Sequence, residues 1–384
     1  MNGCDSICAA AAPPHVRAIA PYQPGKPISE LARELGLAEA DIVKLASNEN
    51  PLGPSPLALA AAQDALSDMA LYPDGAGYAL KARLSARLGV DAAQIVLGNG
   101  SNDVLDMVAR AYLAPGTSAV YAQYAFAVYP IATHTVGAHG IAVAARDFGH
   151  DLERMRAAIR DDTRVVWIAN PNNPTGTFLP WHEIEAFLET APPHVLVVLD
   201  EAYGEYLAPA SRCDTAAWVA RFPNLLISRT FSKAYGLAGL RVGYGIGHAD
   251  VVDLLNRVRH PFNVNASALA AAEAALDDHA FLARSYALNA AGMQQLAAGL
   301  EALDIETVPS KGNFVLARVG EAARINTELL KRGVIVRPVA AYGLPEFLRV
   351  SVGLASQNAR FLDALREIIA AAPGLPPDSR KVVP

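Results

Sequence analysis

Cysteine is nearly missing from this chain: Cys4, Cys8 and Cys213 are the only three among 384 residues. An odd number with no regular spacing excludes a disulfide framework and implies a reducing compartment, the cytoplasm. Cys4 and Cys8 have no second pair to complete a metal site. His182-Glu183 begins a zinc-protease pattern, but Ala186 stands where the second histidine ligand is needed. No metal is expected. Charge of one sign is scarce as well, since 32 Lys+Arg against 38 Asp+Glu leave a net charge of −6. Without a basic run, nucleic acid is not an expected partner. Nor does any apolar run approach the roughly 20 residues that span a bilayer. Met1 to Pro14 carries no Lys or Arg ahead of a long apolar core, so it does not read as a secretory signal.

What is present is a hydrophobic fraction of 52% with 18% charge, the composition of a globular enzyme. The length allows a large core and two domains. Short apolar runs at Ile95–Leu97, Ser118–Tyr121, Arg164–Ile168, Val195–Leu199 and Leu225–Ile227 alternate with Ala/Leu-rich helical segments, the first of them Asn102–Leu113. Runs apolar at every position suit strands buried on both faces, which predicts an α/β fold around a mostly parallel sheet. Arg241–Gly247 reads as another strand, with Gly243, Gly245 and Gly247 allowing close backbone approach. From about Leu282 a long helix leads to shorter strands at Gly312–Leu316, Val334–Val336 and Phe347–Val352, a second and smaller α+β domain.

The most informative stretch is Ser228-Arg-Thr-Phe-Ser-Lys233, with Arg241 following in a glycine-rich segment. A lysine amine forms a Schiff base with an aldehyde cofactor, while hydroxyls and a guanidinium hold a phosphate. Together these suggest pyridoxal phosphate. Asp200 ends the run Val195–Leu199, where α/β sheets bind ligands. There a carboxylate could keep a pyridine nitrogen protonated, although a helix cap or surface turn would use the same residue. Tyr203, three residues on, could reach the cofactor's phenolic oxygen or could be ordinary packing. Asn170-Pro-Asn-Asn-Pro-Thr-Gly176 forms a tight turn directly after a strand. Leu97-Gly-Asn-Gly-Ser-Asn102 leads into a helix whose first N–H groups favour phosphate. It lacks the third glycine of a dinucleotide-binding fingerprint, since position 103 is Asp. Phe126 could stack on a planar ring or simply pack in the core. Arg349, flanked by Leu348 and Val350, needs a partner if buried, and a substrate carboxylate is one candidate.

In this order the motifs resemble the class I and II aminotransferases of pyridoxal-phosphate fold type I, and within them the histidinol-phosphate aminotransferases. The resemblance runs from Pro21-Tyr-Gln-Pro-Gly-Lys-Pro27 through Asn48-Glu-Asn-Pro51, Tyr72-Pro-Asp-Gly75 and the segments above to Val336-Arg-Pro338 and Leu348–Gly353. It implies a seven-stranded sheet in a large cofactor-binding domain over 49–285. A small domain with an N-terminal arm would take 1–48 and 286–384.

Lys233 is then the Schiff-base lysine and proton carrier, and Asp200 pairs with the pyridinium nitrogen. Tyr203 and Asn173 bond the phenolic oxygen. Ser232, Arg241 and the backbone at Ser101 and Asn102 hold the phosphate, with Thr230. Tyr72 would reach the cofactor of a partner subunit, making a homodimer. Arg349 takes the carboxylate of glutamate or 2-oxoglutarate. Tyr22 and Arg337 meet the phosphate of histidinol phosphate, and Asn50 joins this substrate group.

The chain departs from the family pattern in two places. Tyr124-Ala-Phe126 replaces the usual Pro-Thr/Ser-aromatic, so Tyr124 competes with Phe126 for the stacking role, and Asn102-Asp103 replaces Asp-Glu. An aromatic amino-acid aminotransferase is the alternative on the same scaffold, and a phosphothreonine decarboxylase a more distant one. A non-catalytic regulator with this fold would need a DNA-binding module ahead of Pro21, and Met1–Ala20 contains no basic helix pair.

Overall fold

The computed structural model describes residues 7–371, so Cys4 and the tail at 376–384 lie outside the described residues. Seven strands build the main sheet: β1 (Ile95–Gly98), β2 (Ser118–Ala122), β3 (His139–Val143), β4 (Thr163–Ala169), β5 (Leu196–Asp200), β6 (Leu225–Thr230) and β7 (Gly243–Gly247). Their order across the sheet is β1-β7-β6-β5-β4-β2-β3. Every pair from β6 to β3 is parallel, and β7 alone runs antiparallel to both its neighbours.

Alternation along these strands sorts their side chains into two cores. Val166, Ile168, Val197, Leu199, Leu225 and Ile227 pack on one face. Val165, Trp167, Leu196, Val198 and Leu226 pack on the other. Full burial stabilises each such side chain by roughly 1.5–3 kcal/mol, which requires both faces to be covered by helices. The sheet is therefore rigid, and its carboxyl edge is where functional side chains can be held in place.

The structure adds one strand that the sequence does not announce and shortens another. β3 carries no long apolar run, because it is an edge strand with only Val143 buried. The last strand begins at Gly243 rather than Arg241, since Arg241 has φ 58° and cannot continue a strand.

The chain divides into two compact units. The first holds the seven-stranded sheet and spans 49–287, with 7–23 and Ser310–Gly312 grouped in it. The second takes Pro24–Asn48, Leu288–Pro309 and the described residues from Asn313 onward. Its four-stranded antiparallel sheet includes Phe314–Arg318 and Phe347–Ser351, and Val43–Lys44 pairs in parallel with Val334–Ile335. Its core gathers Leu296, Leu329, Leu348, Val350 and Phe361. Among the described residues no helix is long and apolar enough to cross a membrane.

Candidate active site

One end of the site is an anion cradle. After β1 the chain turns through Gly100, with φ 79°, and starts the helix Ser101–Tyr112. The first N–H groups of a helix have no intrahelical acceptor and carry positive partial charge. Asp103 closes the loop beneath them by accepting from the N–H of Asn99 at 2.9 Å and from Asn263 at 2.6 Å. The left-handed backbone of Arg241 turns its guanidinium back over Gly100, so closely that a Cβ at position 100 would strike it. Its Nη1 donates to Ser232 Oγ and to the carbonyl of Ala238, each at 3.1 Å. On the far side, a Cβ at Gly243 would strike the Ser101 nitrogen. Helix start, Ser232 hydroxyl and guanidinium thus meet around one point, the donor set of a phosphate site.

The other end is a buried carboxylate. Asp200 is the last residue of β5 and projects on the face of Leu196 and Val198. Its Oδ2 accepts from the Tyr129 hydroxyl at 2.9 Å, and its Oδ1 from the N–H of Ala202 at 3.2 Å. Burial pushes its pKa up to about 6. The Tyr129 bond, the Ala202 N–H and the Lys233 charge pull the other way. Tyr129 lies flat on Trp167, with centroids 5.2 Å apart, and meets Phe126 edge-on at 5.8 Å. Tyr124 instead stacks on Phe148 at 6.0 Å. Phe126 is therefore the aromatic tied to the Asp200 cluster.

Between these ends the carboxyl edge supplies the remaining groups. Lys233 follows β6, and its Nζ stands 5.8 Å above the centre of the Tyr203 ring. Thr230 Oγ1 accepts the N–H of Ser232 at 3.0 Å, which fixes the turn into the lysine. Asn50 donates to the carbonyl of Ala234 at 2.9 Å and to Ser285 at 2.8 Å, and accepts from Leu52. Both its amide hydrogens are engaged, so a substrate contact there falls to its oxygen.

The three asparagines of the loop after β4 divide their work. Asn170 bonds Leu179 through both amide atoms. Asn172 donates to the carbonyl of Tyr124 and to Thr175. Asn173 sits nearly buried beside them.

Tyr72 and Tyr22, expected at the cofactor and the substrate, are exposed at 83% and 51%. The Tyr72 ring stacks on Phe262 at 4.7 Å. In the second unit, Arg337 and Arg349 are direct register partners across an antiparallel pair. Arg349 is nearly buried over the Phe314 ring and donates to the carbonyl of Ala46 at 2.6 Å.

Glu201 points to the opposite face from its neighbour Asp200. Its Oε2 accepts from Arg229 Nε at 2.8 Å and its Oε1 from Thr215 at 2.6 Å, while Arg229 also donates to Thr215 at 3.1 Å. A cavity of about 510 Å³ opens over this pair, bordered by Glu205, Arg212 and Tyr286. It holds none of the expected site residues.

Tyr129 was not foreseen from the sequence. Its contact with Asp200 spans 71 positions, and the only local signal was the spacing Phe126-x-x-Tyr129, which places both rings on one side of a helical turn. His150 also escaped notice. It is buried, accepts the N–H of Ala169 at 3.3 Å, and burial lowers its pKa to about 4, so it is a neutral structural acceptor.

The fold and this edge define an aminotransferase scaffold, and the family model described as aminotransferase class I and II matches residues 40–365. The chain belongs to that family. It is 94% identical over 384 residues to histidinol-phosphate aminotransferase 1 of Thiobacillus denitrificans, covering all of both chains. Histidinol-phosphate aminotransferase 1 of Dechloromonas aromatica is 61% identical, over 92% of this chain and 98% of that one. Among solved structures, the histidinol-phosphate aminotransferase of Sinorhizobium meliloti in complex with pyridoxal-5'-phosphate superposes with a TM-score of 0.86. It is 29% identical and covers 93% of this chain and 97% of that one.

Proposed function

We propose that this aminotransferase exchanges the amino group between L-histidinol phosphate and 2-oxoglutarate, giving imidazole acetol phosphate and glutamate, with pyridoxal 5'-phosphate as cofactor. This places it in histidine biosynthesis. The observation that carries the reading is the single edge that presents a phosphate cradle, a lysine over a tyrosine ring, and a buried carboxylate bonded only to neutral donors. The full-length likeness to the Thiobacillus denitrificans protein supports the substrate.

The cofactor fits the residues present. Arg241, Ser232, Thr230 and the N–H groups of Ser101 and Asn102 hold its phosphate. Phe126 covers its ring, and Asn173 and Tyr203 bond its phenolic oxygen. When bound, the cofactor supplies an electron sink for the pair released at the substrate Cα. Asp200, as a carboxylate, keeps the proton on the pyridine nitrogen. Lys233, as a neutral amine, would be the proton carrier, taking the proton from the substrate Cα.

Arg349 binds the carboxylate of glutamate, and Arg337 and Tyr22 bind the phosphate of histidinol phosphate. Arg337 and Arg349 face each other in register, which sets two guanidinium-bearing side chains on neighbouring strands. Asn50 orients the segment after Lys233 and presents its oxygen to substrate. We assign a homodimer in the cytoplasm, with Tyr72 completing the phosphate site of the partner. Leu66, Met69, Leu71, Tyr72 and Tyr78 are all at least 50% exposed, an apolar surface of the kind that subunits cover.

A substrate panel tests the reading. The purified holoenzyme is expected to turn over histidinol phosphate with 2-oxoglutarate far faster than phenylalanine. A preference for phenylalanine would make it an aromatic amino-acid aminotransferase instead.

A further inference from the structure

We propose that Tyr129 is a positioning residue for the cofactor ring: its hydroxyl fixes the Asp200 carboxylate and its own ring fixes Phe126. One side chain thereby sets both the polar and the stacking contact. The inference rests on the roles given above to Asp200 and Phe126.

The geometry ties the three residues in both main chain and side chain. Tyr129 N–H donates to the carbonyl of Phe126 at 2.9 Å, which locks the turn that carries both rings. Thr133 Oγ1 caps the Tyr129 carbonyl at 2.8 Å within the helix Val128–Thr135. Tyr129 is fully buried and lies parallel to Trp167, with 4° between the planes. A phenylalanine would satisfy that stack equally well. The hydroxyl is a buried polar group that costs stability without a partner, and its bond to Asp200 meets that need.

The choice of donor matters chemically. A phenol favours the ionised carboxylate by hydrogen bonding yet leaves its negative charge in place. An arginine at the same point would close an ion pair, as Arg229 does for Glu201. The groups facing Asp200 are the Tyr129 hydroxyl, the Ala202 N–H and the Lys233 ammonium, with Glu201 on the opposite face raising its pKa. Neutral His150 holds the N–H of Ala169, which is in register with Asp200. Tyr129 is the one side-chain hydrogen bond among these influences, and the strongest of those that favour the ionised form.

The test compares Tyr129→Phe with Tyr121→Phe, a control that removes a tyrosine hydroxyl from β2 on the same face of the sheet. Apoenzymes are titrated with pyridoxal phosphate, and the Asp200 carboxyl is followed by isotope-edited infrared spectroscopy of the apoprotein. In Tyr129→Phe the Asp200 titration is expected to move up by roughly one pH unit, and the dissociation constant of the cofactor to rise about tenfold. Tyr121→Phe is expected to change neither. An Asp200 titration and cofactor affinity equal to wild type in Tyr129→Phe would overturn the proposal while leaving the transaminase reading intact. If Tyr129→Phe fails to fold, 3-fluorotyrosine at position 129 gives a more acidic donor. It should move the Asp200 titration down, and no movement, or movement upward, would sink the idea.

Discussion

Asp200 and Glu201 are adjacent carboxylates at the end of one strand, and the two faces of the sheet treat them in opposite ways. Glu201 is bonded to Arg229 and Thr215, three groups that satisfy one another. Asp200 is bonded to a phenol and a backbone N–H, and burial holds its pKa up at about 6. The first arrangement is a directly bonded ion pair, with Glu205 also close to the Arg229 charge. The second lacks a bonded cation, which a protonated pyridine ring would bring. Burial without a bonded cation raises the Asp200 carboxyl, and perturbed carboxyls of this kind cluster at functional sites.

That contrast can be broken in three ways. The largest effect is expected from Lys233→Ala, which should abolish turnover while the circular dichroism spectrum stays native. Near-normal transamination would place the chemistry away from the Asp200 face. Next, Glu201→Gln should destabilise the protein by about 3–5 kcal/mol in urea unfolding, because buried Arg229 loses its hydrogen-bonded carboxylate and keeps only the more weakly coupled Glu205. A loss below about 1 kcal/mol would show that the pair is as weak as a surface salt bridge.

The smallest effect has the opposite sign. Asp200 is raised from 3.8 to about 6 by folding, so its contribution is fully present below pH 3.8 and is lost as pH rises through about 6. Apoenzyme carrying Asp200→Asn should therefore be more stable than wild-type apoenzyme at pH 8, by roughly 3 kcal/mol, with the gain vanishing toward pH 4. The same variant should lose transaminase activity by roughly a hundredfold or more. Lower stability of the variant at pH 8 would erase the distinction between the two carboxylates.

Much of this was legible because strands buried on both faces are written as apolar runs. β2, β4, β5 and β6 all show that signature, with Asp200 ending one of them and Lys233 three residues past another. β3 was illegible for the same reason inverted: at the sheet edge His139-Gly-Ile-Ala-Val143 needs little apolar surface. Asp200 and Glu201 are equivalent in sequence apart from one methylene. Only the alternation of the strand, and Arg229 waiting on one side, separates their roles. Tyr129 belongs to a third kind of information, a contact made by folding between distant segments, and no local pattern encodes its partner.

Arg241 holds its guanidinium over Gly100 by adopting a left-handed backbone, which for a residue with a Cβ costs roughly 1–2 kcal/mol. Glycine would relieve that cost and lose the guanidinium. The arginine's bonds to Ser232 and to the carbonyl of Ala238 offset part of that cost, and a bound anion would offset more. Arginine at 241 thus trades backbone ease for a guanidinium pointed at one spot, where glycine would leave the loop relaxed and the spot uncharged.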